Sequence, residues 1–211
     1  MPNPEISAEA CNVVLNVCYE KANVQLFLDA GGVPALVTRL AENHVDLQAN
    51  AAGALQSITY QQRGRVVARD AGAVPLIAGL LDHVNVKVRT RAVGALHNIS
   101  TDDESIRIIR RNNAIPLLID MLGCPDASIC SSAVGAIQNI SREVQSCDII
   151  QELGGPEPLA DLLFASDAQA QVSSAGALLN ILGHPPGDAD KPTDVNDAKR
   201  QVSPLQQYDT A

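Results

Sequence analysis

The stretch Ala92-Val93-Gly94-Ala95-Leu96-His97-Asn98-Ile99-Ser100 decides the fold of this chain, because it recurs at a constant spacing. It returns 41 residues later over 133–141, and related strings occupy 51–59 and 174–182, with a fainter copy at 10–19. One position of the string, which we call the ladder position, is held in turn by Asn16, Ser57, Asn98, Asn139 and Asn180. Self-similarity at such a period is typical of a solenoid, whose units bury their apolar faces only against one another.

A second landmark keeps the same step and divides each unit into helices. It reads Gly32-Val33-Pro34, Ala73-Val74-Pro75, Ala114-Ile115-Pro116 and, in altered form, Gly155-Pro156-Glu157. Because proline fits the first turn of a helix, each unit is predicted to contain three helices. In the unit that begins at Thr101, the first helix is predicted to open with a capping box of Thr101 and Glu104. The third helix is predicted to bury an apolar face that runs from Ile129 to Ile140.

The prediction is therefore an all-α chain with a repeat array over residues 1–183. A compact helical bundle with chance similarity between its segments is the alternative, which the gap-free register disfavours. From His184 the helical periodicity stops, and residues 184–211 are predicted to be a flexible tail or one ordered only by a partner.

Charge and composition exclude several classes of protein. The chain has 15 basic and 24 acidic residues, a net charge of −9, which disfavours a general nucleic-acid binder and binding to anionic membranes. No apolar run reaches the length of a membrane span, and the first residues lack the pattern of a signal peptide. Aromatic residues make up only 2%, so the core must consist of Ala, Val, Ile and Leu. We expect a cytoplasmic protein.

The cysteines and histidines do not predict a metal centre or a cofactor. The five cysteines are Cys11, Cys18, Cys124, Cys130 and Cys147, and we interpret them as reduced core residues. A zinc site is the weaker alternative, because no C-x-x-C pair accompanies the four scattered histidines. Asn98-Ile-Ser100 and Asn139-Ile-Ser141 match the N-glycosylation pattern, but both lie inside predicted packed helices.

These landmarks resemble the armadillo repeat family over roughly residues 6–182. The unit of that family is a short helix, a Gly-x-(Val/Ile)-Pro turn, a second helix, and a long third helix that bears Ala-x-Gly-Ala-Leu-x-Asn-Ile. The resemblance implies a right-handed α-solenoid, a superhelix whose third helices line a concave groove. Within the family the chain is similar to the generic type of catenins, plant armadillo proteins and ciliary armadillo proteins.

The resemblance also implies a binding role for the ladder position. In the family, the ladder asparagine holds the backbone of an extended partner peptide, since an amide can both donate and accept hydrogen bonds. The implied site is Asn16, Asn98, Asn139 and Asn180, with a weaker hold at Ser57. The other interpretation is structural, because the same amide can bond to the backbone of the adjacent unit and hold the stack together.

One departure separates subfamilies. Importin-α-like members carry a Trp four residues before the ladder asparagine, where this chain has Asn12, Gly53, Gly94, Gly135 and Gly176. Glycine cannot form the wall of a pocket, so a receptor for basic nuclear-localisation signals is disfavoured.

Helical spacing also predicts the charge of the groove. Residues eleven and seven positions before the ladder share its face, which places Lys87 and Arg91 in the middle of the groove beside acidic residues at its start. A partner with an acidic residue over Lys87 and Arg91 would fit, or the two are ordinary solvated charges. Arg63, Arg65, Arg69, Arg107, Arg110 and Arg111 are predicted on first helices, as solubilising charges or a second contact face.

Two functions follow as expectations. The first is a non-enzymatic module that binds an extended segment of another protein along the groove, since no catalytic arrangement or phosphate loop is present. The alternative is a structural subunit of a large cytoskeletal or ciliary assembly, which contacts neighbours through its ends, convex face and tail. Val13, Val14 and Val17 would be uncovered on the first helix, so the N-terminal end is expected to be covered by a partner or by a missing repeat.

Overall fold

The computed structural model describes residues 3–183, and the predicted tail over 184–211 lies outside the described residues. Thirteen α-helices and no strand occur between residues 3 and 183. The third helices of the units are α1 (Pro4–Val17), α4 (Val45–Thr59), α7 (Val86–Ile99), α10 (Ala127–Ile140) and α13 (Ala168–Leu182). The first helices are α2 (Lys21–Asp29), α5 (Gln62–Asp70), α8 (Asp103–Arg111) and α11 (Val144–Glu152). The second helices are α3 (Val33–Leu40), α6 (Ala73–Ala78), α9 (Ala114–Asp120) and α12 (Pro156–Leu162), and a 3-10 turn, Met121–Gly123, extends α9.

The third helices form one continuous layer. Each of α4, α7, α10 and α13 packs along the third helix that precedes it, and each second helix packs on the third helix of its own unit. The core between them contains alanine and branched aliphatic side chains, and no Phe or Tyr among residues 3–183 is buried. Ile58, Ile99, Ile140 and Ile181 occupy one repeat position and are fully buried. The predicted all-α solenoid, built from repeated three-helix units rather than a compact bundle, is confirmed.

Each third helix begins after a capping side chain that also recurs every 41 residues. The caps are Asn3, His44, Asn85, Asp126 and Asp167. Each accepts a hydrogen bond of 2.9 to 3.2 Å from a backbone N–H two or three residues further on. Such a cap satisfies one of the unpaired donors in the first turn, so the start of every third helix is fixed by its own sequence.

The predicted capping box of Thr101 and Glu104 is wrong by one residue. The cap of α8 is Asp102, whose carboxylate accepts from the backbone N–H of Ser105 over 3.0 Å. Thr101 instead donates its hydroxyl to the backbone oxygen of Asn98 at the end of the preceding helix. An ionised carboxylate at the positive end of a helix is a stronger acceptor than a hydroxyl, which explains the preference.

The turn between the first and second helices requires a left-handed backbone at one residue of each unit. That residue is Gly31 (φ 69°), Gly72 (φ 80°), Asn113 (φ 55°) or Gly154 (φ 73°). Glycine adopts this conformation freely and asparagine tolerates it better than other residues, so the four positions use the two residue types that fit. The Pro landmark follows directly, because the next helix starts one or two residues later.

Replacing Gly72 tests this constraint, since a Cβ at Gly72 would meet no atom within 4 Å and any cost must come from the backbone. We expect Gly72→Ala to lower the free energy of unfolding by about 1–2 kcal/mol. Gly72→Asn should cost less, because Asn113 holds the same turn in the next unit. Urea denaturation of the three chains measures the difference, and equal stabilities for the Ala and Asn variants would contradict the argument.

Candidate functional site

The ladder residues lie on neighbouring third helices, and three of their amides share one kind of partner. In each case Nδ2 donates to the backbone oxygen of the residue just before the ladder position on the preceding third helix. The pairs, donor first, are Asn98 with Gln56 (2.9 Å), Asn139 with His97 (3.3 Å) and Asn180 with Gln138 (3.5 Å). These bonds connect successive units. The amide N–H groups of these three residues therefore hold the stack together, as the structural interpretation of the ladder proposed.

The serine of the Asn-Ile-Ser string supplies a second acceptor. Nδ2 of Asn139 donates to Oγ of Ser100 over 3.0 Å, and Nδ2 of Asn180 donates to Oγ of Ser141 over 3.1 Å. Both serines are fully buried, so the string that resembles a glycosylation signal is part of the inter-unit packing. In the second copy the position belongs to Thr59, whose hydroxyl donates to its own helix. No hydrogen bond joins Asn98 to Thr59, so the amide of Asn98 has only the carbonyl partner within residues 3–183.

The ladder changes at its N-terminal end. Asn16 is exposed, and its Nδ2 donates to the backbone oxygen of Asn12 within α1. Ser57 is half-buried, and its side chain makes no hydrogen bond between residues 3 and 183. The inter-unit amide bridge is thus present from Asn98 onward and absent at Ser57.

The glycines four residues before the ladder allow the third helices to pack closely, as small residues at a helix interface predict. A Cβ at these positions would collide with a side chain from the preceding third helix. The pairs are Gly94 with Gln56, Gly135 with His97 and Gly176 with Gln138. Gly53 similarly lies beneath Leu15 and the Cδ atom of Arg91. The column of glycines therefore leaves space for one side chain from each neighbouring unit.

The side chains packed over Gly94, Gly135 and Gly176 form a row that we call the floor row, which consists of Gln56, His97 and Gln138. Each member is half-buried, and each supplies the carbonyl that receives a ladder amide. The floor row lies over the glycine column, which helical spacing places near the middle of the ladder face. Sequence reasoning missed the row, although a polar residue adjacent to the ladder at the same 41-residue step was the available signal.

The two predicted basic residues of the groove differ in their surroundings. Lys87 is exposed and pairs with Asp46 on the preceding third helix, at 3.3 Å from Nζ to Oδ1. Arg91 is half-buried, and one terminal nitrogen donates to Oε1 of Gln56 over 3.4 Å. The acidic start and the basic middle of the groove thus neutralise each other in part at Asp46, and the guanidinium of Arg91 keeps further donors.

Three arginines outside the groove connect first helices of adjacent units, and Arg63 does so through an exposed pair with Asp29 at 2.7 Å. Arg69 pairs with Asp102 over 2.7 Å, and Arg110 pairs with Glu143 over 2.8 Å at the equivalent position. Burial opposes ionisation of Asp102, but hydrogen bonds from Ser105 and Arg69 hold the pKa of its carboxyl below the ordinary value. For Arg69 and Arg110, a role in inter-unit ion pairs replaces the expectation of a solubilising charge or contact face.

The remaining chemistry between residues 3 and 183 is limited. No group of three or more potential metal ligands occurs there, and no helix in that range has the length and apolarity needed to cross a bilayer. All five cysteines are free, and burial raises the pKa of the Cys147 thiol to about 12. A thiol held protonated in this way is a poor nucleophile.

His97 gives the floor row a dependence on pH. Burial lowers the pKa of its imidazole below the ordinary value of 6.5, while His97 in the unfolded chain keeps that value. The unfolded chain therefore binds more protons between these two values, so stability is lost as the pH falls below about 6.5.

His97→Gln should remove this pH-dependent loss of stability, because glutamine does not titrate. The substitution should be tolerated, since Gln occupies the equivalent positions in both neighbouring units. We expect the loss in unfolding free energy between pH 7 and pH 5 to be smaller in the variant, measured by urea denaturation. His44 and His83 remain in both chains and serve as an internal control. Parallel pH profiles for the two chains would contradict the assignment.

Comparisons with known proteins agree with this geometry. The Armadillo/beta-catenin-like repeat model matches residues 21–60, 61–101 and 102–142, whereas no curated protein matches the chain. An engineered protein of known structure is 27% identical with a TM-score of 0.79, covering 95% of this chain and 79% of that one. A designed armadillo repeat protein in complex with the peptide (KR)4 is 23% identical with a TM-score of 0.75, covering 86% and 77%, and shows likeness of fold alone. Since the repeat model covers more than half of the sequence, the chain belongs to the armadillo/beta-catenin-like repeat family.

Proposed function

We propose that this chain binds an extended segment of a partner protein along the groove formed by its third helices, and that it is not an enzyme. The armadillo solenoid is generally a non-enzymatic binding scaffold. The designed armadillo protein with the (KR)4 peptide is a precedent for peptide binding on this fold. A cytoplasmic location, without nucleic acid or membrane as a partner, belongs to the same proposal.

The observation that carries the proposal is the state of the ladder oxygens. Oδ1 of Asn98, Asn139 and Asn180 accepts no hydrogen bond from residues 3–183, and none of these oxygens is sealed from solvent. They recur on one face at a constant step. An extended peptide offers unpaired backbone N–H groups at regular intervals, and accessible amide oxygens are suitable acceptors for them.

Arg91 favours a partner segment that carries a carboxylate. Its guanidinium has five N–H donors, and only one contact, the weak bond to Gln56, uses them between residues 3 and 183. A partner carboxylate over Arg91 would gain charge-assisted hydrogen bonds. Lys87 contributes less, because it is exposed and Asp46 partly neutralises its charge, and ion pairs between exposed side chains are worth little.

A reversal of charge at Arg91 tests the groove. A random ten-residue peptide library displayed on phage is first selected on the wild-type chain, and the tightest peptide is labelled with fluorescein. We expect Arg91→Glu to weaken its binding about tenfold or more in fluorescence anisotropy, since hydrogen bonds to charged groups are worth about 1.5–3 kcal/mol.

The matched control is Arg111→Glu, which makes the same change in net charge at an exposed residue of α8, outside the third-helix layer. Its affinity should stay within about twofold of wild type, below the energy of one ordinary hydrogen bond. Unfolding midpoints of both variants report whether the fold is intact. Failure to recover any peptide, or equal weakening by both substitutions, would contradict binding in the groove.

A second candidate, a structural subunit of a cytoskeletal or ciliary assembly, is favoured by one observation. Val13 and Val17 on α1 are 60% and 47% exposed, whereas the residues at the equivalent positions of later units are fully buried. Leu26 on α2 is 68% exposed beside them. An apolar face of this kind is typical of a protein-protein contact, and it continues the interface between successive units.

If this end contacts other proteins, the isolated chain should associate as its concentration rises. The double variant Val13→Ser, Val17→Ser should remain monomeric because it lacks the apolar contact. Sedimentation equilibrium gives the mass of both, with Arg91→Glu as a control that leaves the end unchanged. A wild-type chain that is monomeric throughout would count against the structural-subunit candidate.

A further inference from the structure

We propose that the floor row, Gln56, His97 and Gln138, donates hydrogen bonds to the backbone carbonyl groups of the bound segment, while the ladder residues Asn139 and Asn180 only accept. This inference rests on the proposed function and adds which residues recognise which atoms of the partner. The partner atoms are main-chain carbonyls of an extended segment.

The first step is a count of the ladder donors. A primary amide has two N–H hydrogens and one carbonyl oxygen. In Asn139 the two hydrogens have two acceptors, the backbone oxygen of His97 at 3.3 Å and Oγ of Ser100 at 3.0 Å. Asn180 has the same pair of acceptors in its own unit. These two ladder residues therefore hold no spare hydrogen for a peptide carbonyl, although their oxygens remain available.

The second step is the supply of other donors on the same face. Nε2 of Gln56, Nε2 of Gln138 and the ring nitrogens of His97 make no hydrogen bond within residues 3–183. The glycine column beneath them holds each side chain against the neighbouring helix, since a Cβ there would occupy the same space. Donors fixed in this way lose less side-chain entropy when they bind than donors on freely rotating side chains.

The third step is the match to a class of partner. An extended strand leaves both its N–H and its C=O groups unpaired, so it needs acceptors and donors side by side. The ladder oxygens supply the acceptors and the floor-row nitrogens supply the donors, at adjacent positions of the repeat. A helical partner would present most of its carbonyls already bonded within itself, and a carboxylate would prefer Arg91 to the neutral floor row.

The test uses variants that keep the size of the side chain and remove its donor. Gln138→Met and Gln56→Met retain a long unbranched side chain over Gly176 and Gly94 but have no N–H. The probe is the labelled peptide selected on the wild-type chain. We expect each variant to bind it about five- to tenfold more weakly, the loss of one hydrogen bond to a desolvated carbonyl.

His97→Gln is the conservative partner of these variants, because an amide at this position can still donate. It should bind within about twofold of wild type, whereas His97→Met should resemble the Gln138→Met chain. The control is Gln145→Met, an exposed position on α11 outside the third-helix layer, which should have no effect. Thermal unfolding of each variant identifies any chain that has lost its fold, and the Gln56 and Gln138 variants report on different units.

A backbone change in the probe separates a direct bond from a packing effect. Replacing one peptide amide by an ester removes its N–H group and weakens its carbonyl as an acceptor. At the position over Gln138, the ester should weaken binding to Gln138→Met by less than it weakens binding to wild type, as in a double-mutant cycle, because only the N–H bond to a ladder oxygen is still lost in the variant.

The outcomes distinguish this inference from the proposed function. If Gln56→Met and Gln138→Met bind the probe as tightly as wild type while Arg91→Glu weakens it, the groove binds peptide and the floor-row inference is overturned. Additive effects of the ester and Gln138→Met at every probe position overturn it as well. Recovery of no peptide overturns both proposals.

Discussion

From α4 onward, the stacking of the units depends on one directional interaction, the hydrogen bond from a ladder amide to the carbonyl of the preceding third helix. It fixes how far each unit is rotated and shifted relative to the one before, and buried aliphatic side chains alone would not fix this, because burial of apolar surface has no direction. The glycine column has the complementary role, since it lets the side chain next to that carbonyl lie flat against the following helix. Asn98 and Gly94 are thus parts of one packing arrangement.

The repeat in the sequence was sufficient to predict the fold, because two independent local signals keep the same period. Val74-Pro75 and its equivalents marked the second helices, and the buried Ile99 series marked the face of the third helices. The N-cap series, which includes Asn85 and Asp126, was equally readable and was overlooked. Where prediction failed, at Thr101, two neighbouring capping residues competed, and only the structure shows that the Asp102 carboxylate is the acceptor.

The candidate site was less predictable, for a physical reason. Sequence periodicity places Asn139 and Lys87 on a face, but it does not say whether a neighbouring unit already uses their polar atoms. The distance from the Asn139 amide to Ser100, and that from Lys87 to Asp46, depend on the offset between adjacent helices. That offset comes from packing across units. Only the structure therefore shows which donors already bond to a neighbouring unit and which are free. His97 was overlooked for the same reason, since nothing local indicates that Gly135 lies beneath it.

Stability and recognition are connected through a single residue in each unit. The backbone oxygen of His97 holds the following unit in place, while its side chain lies in the groove over that same unit. A small shift between two units would therefore change the distance between the accepting ladder oxygen of one unit and the floor-row side chain of the other. A bound strand that contacts several units would in turn oppose such shifts, because each of its hydrogen bonds is short-ranged and directional. On this argument, binding of an extended segment and rigidity of the solenoid reinforce each other, and a partner that binds the folded array more tightly stabilises it more.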